Sequence, residues 1–295
     1  MQEQKYVLKN VSSFEPKHIF ECGQCFRWDE EDDGSYTGVV ANNVLNVKKV
    51  DKEVIFSSFG ADNLEELVVD YFDLNRNYEE IKDKLSKVDK YLENSIKYGS
   101  GIRILNQDLW ETIISFIISA NNNIPRIKGI INRLSYEYGT KIKWKGKEYY
   151  TFPTVQNLSK ATVEDLRKTG LGFRDIRVYE TTKKILEKEV DLSEIHKERN
   201  TEKVREILLT LSGVGPKVAD CILLFSTLKR FDVFPIDVWV RRVMNDLYIK
   251  NEDEAKVNKK EIEKLAKEKY GALEGIAQQY LFYNRKDILL YSKTS

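Results

Sequence analysis

Two side chains set the chemical question. Lys217 follows Gly213, Gly215 and Pro216, where an apolar helical pattern is broken and a new helix can begin. A lysine in the first turn of a helix lies near amides that carry partial positive charge, which predicts a lowered pKa and a potential nucleophile. Asp237 lies 20 residues further on, just ahead of the apolar series Val238, Val240, Val243, Met244 and Leu247, where it predicts an N-cap. A helix from Pro216 to about Thr227 would run roughly 18 Å. The extended return to Ile236 can span more than that, at ~3.3 Å per residue. The amine and the carboxylate can therefore meet.

The elements that would position them form a tight hairpin between two helices, within Leu211 to Trp239. The hairpin, the lysine and the aspartate together resemble the helix-hairpin-helix, Gly/Pro, Asp signature of the DNA base-excision glycosylase superfamily. The resemblance implies that hairpin amides, at Gly213, Gly215 and Val218, cradle a DNA phosphate. It also implies that Lys217 attacks a sugar C1′ and that Asp237 stabilises the cationic transition state. Singly, each residue reads as a solvated helix lysine or an ordinary cap.

The whole chain sets bounds on this. Its 295 residues suit one large or two ordinary domains, and 41% hydrophobic with 32% charged residues is the composition of a globular protein. No apolar run approaches a membrane span, and the start MQEQKYVLKN has no charged region followed by an apolar one, so the expectation is a cytoplasmic monomer, nucleoid-associated if bacterial. With 48 Lys and Arg against 47 Asp and Glu there is no global attraction to a polyanion. DNA binding would have to rest on a local positive face and on backbone amides. Cys22, Cys25 and Cys221 make no disulfide framework, and His18 and His196 supply no second metal half-site. The expectation is no metal and no cofactor.

In chain order, Tyr6 to about Phe59 is strand-like, with β-branched runs at Val44 to Val47 and Val54 to Phe56 and turns at Asn42-Asn43 and Asp51-Lys52. In Glu21 to Trp28, Gly23 within an otherwise extended segment marks a bulge or a close backbone approach, and the bulge is the preferred reading. Leu64 to Tyr98 turns helical, and Gly99-Ser-Gly101 interrupts it, so a domain boundary is placed near residue 100. The fold class expected is α+β: an N-terminal antiparallel sheet domain with flanking helices over 1–100, then a mostly helical domain over 101–295.

Within the second part, Asp108 caps a buried helix that ends at Asn121-Asn122-Asn123, residues that suit either turns or contacts to base edges. The basic tract Lys141 to Lys147 alternates like a protected edge hairpin, a reading preferred to a DNA contact. Gly170 to Arg177 places Phe173 beside arginines, which suits either a helix-end contact or a wedge into a base stack. Gln278 and Phe282, four apart, share a helix face and offer an amide and a ring.

Taken with Gly23-Gln-Cys-Phe-Arg-Trp28, Asn121 to Arg126 and Leu171 to Arg174, these residues resemble the 8-oxoguanine DNA glycosylase branch of the superfamily. By that resemblance the Gly23 carbonyl would accept the N7 hydrogen of the lesion, a donor that ordinary guanine lacks. Gln278 would read the Watson-Crick edge, and Phe282 and Cys221 would sandwich the flipped base. Asn121 would fill the vacated space, Phe173 would wedge into the stack, and Arg126 and Arg174 would hold the orphaned cytosine. The partner implied is duplex DNA carrying 8-oxoguanine opposite cytosine. Eukaryotic relatives carry tyrosine in place of Phe173 and a phosphate-contacting histidine in place of Trp239. Two other readings stay open: a glycosylase for alkylated purines or oxidised pyrimidines, and a non-catalytic module that only grips DNA.

Overall fold

The computed structural model describes residues 3–253 and 256–291. Five strands form one antiparallel sheet: β1 (Glu3–Lys9), β2 (Trp28–Glu30), β3 (Tyr36–Val40), β4 (Asn43–Val50) and β5 (Glu53–Phe59), in the order β1-β5-β4-β3-β2. The expected β-branched runs sit inside β4 and β5, paired so that Val47 faces Phe56 and Lys49 faces Val54. Both turns use left-handed backbone, at Asn42 (φ 65°) and Asp51 (φ 53°), residue types that tolerate it. Leu45, Val47, Val54 and Phe56 point into a core with Phe14, Phe20, Trp28 and Phe72.

Glu21 to Trp28 departs from expectation. Instead of a bulged strand it is the end of a short helix, Pro16–Glu21, followed by a loop that enters β2 only at Trp28. Gly23 has φ 83°, which an extended strand cannot use. The loop's side chains divide between two cores: Phe20, Cys25 and Trp28 go under the sheet, Cys22 and Phe26 into the helical part. Such a split is invisible to a period-two reading.

Helices Leu64–Tyr71, Tyr78–Ser86 and Lys90–Tyr98 follow, capped by Asn63, Asn77 and Asp89. A boundary near residue 100 stays a proposal resting on the glycine break. Side-chain packing does not divide there, because Ile81, Leu85, Leu92 and Ile96 join the core of the later helices. At the centre of that core runs Leu109–Ser119, started by Asp108 accepting from the Glu111 amide at 2.8 Å. Only Glu111 and Ser119 in this helix escape full burial, which explains its apolar residues all round.

Lys141–Trp144 and Lys147–Tyr150 form the expected hairpin. Its lysines are matched to carboxylates, Lys141 with Glu148 at 2.9 Å, Lys145 with Glu3 at 3.1 Å and Lys147 with Glu31 at 2.7 Å. No helix among the described residues is long and apolar enough to cross a membrane.

Candidate active site

The hairpin joins Thr201–Leu209 to Pro216–Phe225. Gly213 takes φ 85°, and a Cβ there would come within 3.0 Å of both Ile117 Cγ2 and Arg177 Cδ. A side chain at this position would lift the hairpin off the central helix. Gly215 is the N-cap and Pro216 occupies the first turn, so Lys217 begins the helix as the sequence predicts. Val218 is buried.

The partly buried Lys217 places its Nζ 5.5 Å from the centre of the Phe116 ring. One turn on, Cys221 is buried and shares a hydrogen bond with Lys217, and the Asp237 charge is felt by both. Asp237 caps Val238–Met244, its Oδ1 accepting from the Val240 amide at 2.8 Å. The expected lowering of the Lys217 pKa is not found. Burial works against the ammonium, but Cys221 and then Asp237 more than offset it, and the pKa is raised. Two specific partners outweigh both desolvation and a diffuse helix dipole. Burial pushes the Cys221 thiol up to about 11, so at neutral pH it is a neutral sulfur.

A second group converges from the two ends of the chain. Gly23 lies against Phe282: a Cβ on it would stand 3.2 Å from Phe282 Cε1. Gln278, buried on Glu274–Tyr283, donates to the Pro235 carbonyl at 3.2 Å, two residues before Asp237. Its Oε1 is buried with no hydrogen-bond partner among the described residues, an acceptor whose isolation costs about 1–3 kcal/mol. The donor-rich Watson-Crick edge of a guanine is the kind of group that would satisfy it.

Residues that no periodicity flags hold Gly23 in place. Gln24 donates to Ile19 O at 2.9 Å and Arg103 O at 2.8 Å, and its Oε1 accepts from the Leu105 amide at 2.9 Å. Gln107 bridges Gln24 O and Phe225 O, the last residue of the Lys217 helix. Gln279, beside Gln278, donates to the Cys22 carbonyl. Both loop cysteines are buried, which raises their pKa values, Cys22 to about 11. Among the described residues no group of three or more His, Cys, Asp or Glu is placed to hold a metal ion.

A third group lies at the end of the central helix. Asn121 is exposed with φ 51°, Asn122 donates to Ile118 O at 3.1 Å, and Asn123 caps Ile124–Tyr138. Arg126 is exposed, and its guanidinium reaches beside Gly172. Phe173 is 56% exposed, with Arg174 Cζ 4.2 Å from its ring centre. Arg174 differs from its neighbour: it is buried, and its guanidinium donates to Ala120 O at 3.0 Å and Asn121 O at 2.8 Å. In the free protein it braces the Asn121 turn. Arg177 spans from Gly213 to the Phe173 ring, 5.1 Å from its centre, and so connects hairpin and wedge. Trp239 is half exposed beside Asp237, with Arg242 over its ring at 5.3 Å.

A cavity of about 580 Å3, lined by Arg27, Tyr71, Trp110, Glu111 and Phe152 among others, shares Gln107 with the support of Gly23 but is not lined by Lys217, Cys221, Asp237, Gln278 or Phe282. Around the lysine, Gly215 and Trp239 are exposed.

Comparison with known proteins gives a consistent result. Residues 6–113 match the family described as 8-oxoguanine DNA glycosylase, N-terminal domain, and residues 114–271 match the HhH-GPD superfamily base excision DNA repair protein. The chain is 40% identical over 184 residues to the N-glycosylase/DNA lyase of Saccharomyces cerevisiae, a match spanning 59% of this chain and 47% of the yeast protein. It is 33% identical over 239 residues to the probable N-glycosylase/DNA lyase of Methanothermobacter thermautotrophicus, covering 74% of each. The crystal structure of Clostridium acetobutylicum 8-oxoguanine glycosylase/lyase, in complex with double-stranded DNA containing cytosine opposite 8-oxoG, superposes with a TM-score of 0.90 at 41% identity. That superposition covers 97% of this chain and 98% of the other.

Proposed function

The chain belongs to the 8-oxoguanine DNA glycosylase family of the HhH-GPD superfamily, and on that premise we propose that it excises 8-oxoguanine from duplex DNA opposite cytosine and then cleaves the strand. The observation that carries this reading is the convergence of Lys217, Cys221 and Asp237 at the hairpin. Beside them stand Gly23 and Phe282, with Gln278 anchored to Pro235.

Binding begins at the hairpin, where the amides of Gly213, Gly215 and Val218 hold a phosphate without needing a net positive chain. Phe173 enters the stack, Asn121 occupies the vacated space, and Arg126 meets the orphaned cytosine. Arg174 contributes by fixing the Asn121 turn, and reaches the cytosine itself only by releasing part of that bracing. The Trp239 indole N–H, on a half-exposed ring, would donate to a phosphate. Extrusion of the lesion costs a few kcal/mol of stacking and pairing. In the pocket the base lies between Phe282 and Cys221, the Gly23 carbonyl accepts the N7 hydrogen, and Gln278 reads the Watson-Crick edge.

In the chemical step, neutral Lys217 Nζ forms a bond to C1′ as the glycosidic bond breaks and the base leaves with the electron pair. Asp237, as an anion, offsets the positive charge that develops on the sugar. As the sugar ring opens to a Schiff base, a proton passes from Nζ to O4′; the C2′ proton then passes to solvent, and the 3′ phosphate departs with the electron pair of its bond to C3′. Water then returns the free amine.

The test is reductive trapping. With borohydride and duplex DNA carrying 8-oxoguanine opposite cytosine, a covalent protein–DNA complex is expected. Its absence, or equal trapping on undamaged duplex, would overturn the reading.

Gly23→Ala probes the pocket separately. The new methyl must adopt left-handed backbone and press on Phe282, a strain of about 1–2 kcal/mol, which converts to roughly 5- to 30-fold. That loss is expected in kcat/KM for 8-oxoguanine, with cleavage at a pre-formed abasic site unchanged. Equal loss on both substrates would place Gly23 outside base recognition.

A further inference from the structure

The Gly23 carbonyl stands between two carbonyls that are already engaged. Cys22 O, before it, accepts from Gln279, and Gln24 O, after it, accepts from the Gln107 side chain at 2.7 Å. No donor among the described residues takes up the Gly23 carbonyl itself. Gly23 is also partly exposed, whereas Cys22 and Gln24 are buried. An open backbone acceptor between two fixed neighbours is aimed as closely as those neighbours are held.

Gln107 reaches the nucleophile's helix with the same nitrogen. Its Nε2 donates to Phe225 O at 3.0 Å, a carbonyl in the last turn of Pro216–Phe225, where no amide of the helix remains to bond it. Both partners are acceptors, so the amide nitrogen has to face them. The Gln107 carbonyl accepts from the Thr227 amide at 2.8 Å, which fixes the chain just past the helix as well. Asp108, the next residue, caps the central helix, and Phe116 of that helix has its ring centre 5.5 Å from Lys217 Nζ. Excision has to satisfy two contacts at once: the lesion's N7 hydrogen on the Gly23 carbonyl, and C1′ of the same nucleotide on Lys217 Nζ. Base and sugar are joined by a single bond, so the separation of these two protein atoms is part of the catalytic geometry. The helix is buried from Val218 to Phe225 and shifts as a rod, so its fixed end also locates its lysine.

We propose that Gln107 is a positioning residue for base excision: by holding Gln24 O and Phe225 O with one nitrogen, it sets the separation between the carbonyl that recognises the lesion and the helix that carries the nucleophile. The proposal rests on the role given to Gly23 above. It adds that recognition and attack are kept in register by a side chain that touches neither base nor sugar.

The experiment compares single-turnover excision of 8-oxoguanine with cleavage at a pre-formed abasic site, which has no base to keep in register. Gln107 is half buried and lines the cavity of about 580 Å3, so a methionine of equal length can be accommodated. Thermal unfolding checks that each variant is folded. For Gln107→Met the maximal excision rate should fall about 10- to 100-fold, the scale of an ångström's misplacement. The protein concentration at half saturation should stay within about 2-fold, and abasic-site cleavage within about 3-fold, of the wild type. Gln107→Asn keeps the amide but is one bond too short to hold both carbonyls; it should fall between the two, and it carries the test if the methionine protein does not fold. Added to Gly23→Ala, which already displaces the carbonyl, Gln107→Met should cost at most about 3-fold more. Equal losses on the two substrates, or a full additional loss on top of Gly23→Ala, would overturn the proposal and leave Gly23 recognition standing. A wild type that cuts undamaged and 8-oxoguanine duplex alike would remove both.

Discussion

Lys217→Gln is expected to bind 8-oxoguanine duplex normally, yet to give no borohydride-trapped complex and no strand cleavage. The rate loss in single turnover should be about 10^4-fold or more, the scale seen when a covalent nucleophile is removed. Glutamine keeps the stem as far as Cδ, ends one bond short of the amine that lies over Phe116, and cannot form a Schiff base. The variant therefore separates recognition from chemistry. Binding should survive because the hairpin conformation depends on Gly213, Gly215 and Pro216 rather than on the amine. A glutamine variant that still nicks the strand would assign the nucleophile elsewhere, and one that no longer binds would make Lys217 part of the DNA grip.

Asp237→Asn carries the second large effect and divides two roles that one carboxylate performs. As the cap of Val238–Met244, Asp237 accepts from the Val240 amide. Asparagine caps about as well as aspartate, so thermal unfolding should shift by no more than about 2–4 °C. The charge is lost entirely, and with it the anion that offsets the developing sugar cation. Single-turnover excision should fall by about 10^2- to 10^3-fold. The pH dependence should also move. Asp237 raises the Lys217 pKa, so its removal should bring the rising limb to lower pH. A large fall in stability with normal chemistry would reduce Asp237 to its cap.

Much of this site was legible because its signals are local. A glycine pair followed by proline and lysine specifies a hairpin and a helix start within a few residues. Asp108, Asn123 and Asp237 announce helix starts by side-chain chemistry reaching three residues ahead. The exposed ring of Phe173 follows from the glycines at 170 and 172, both with positive φ. The bulge expected at Gly23 failed because a lone glycine in an apolar run does not say whether its neighbours belong to one sheet or to two cores.

By itself, then, the sequence determined the backbone punctuation, the α+β order of elements, and which residue types stood ready for imine chemistry and base stacking. Those properties depend on neighbours within about one turn of helix. Only the tertiary structure decided the proton on Lys217, the commitment of Arg174 to the Asn121 turn, the unpaired acceptor of Gln278, and the anchoring of Gly23 by Gln24, Gln107 and Gln279. Burial and electrostatic coupling add over every group that comes near, whatever its distance along the chain. In this protein residues 22 and 279 share a hydrogen bond, and Gly23 lies against Phe282. No period or spacing carries that information.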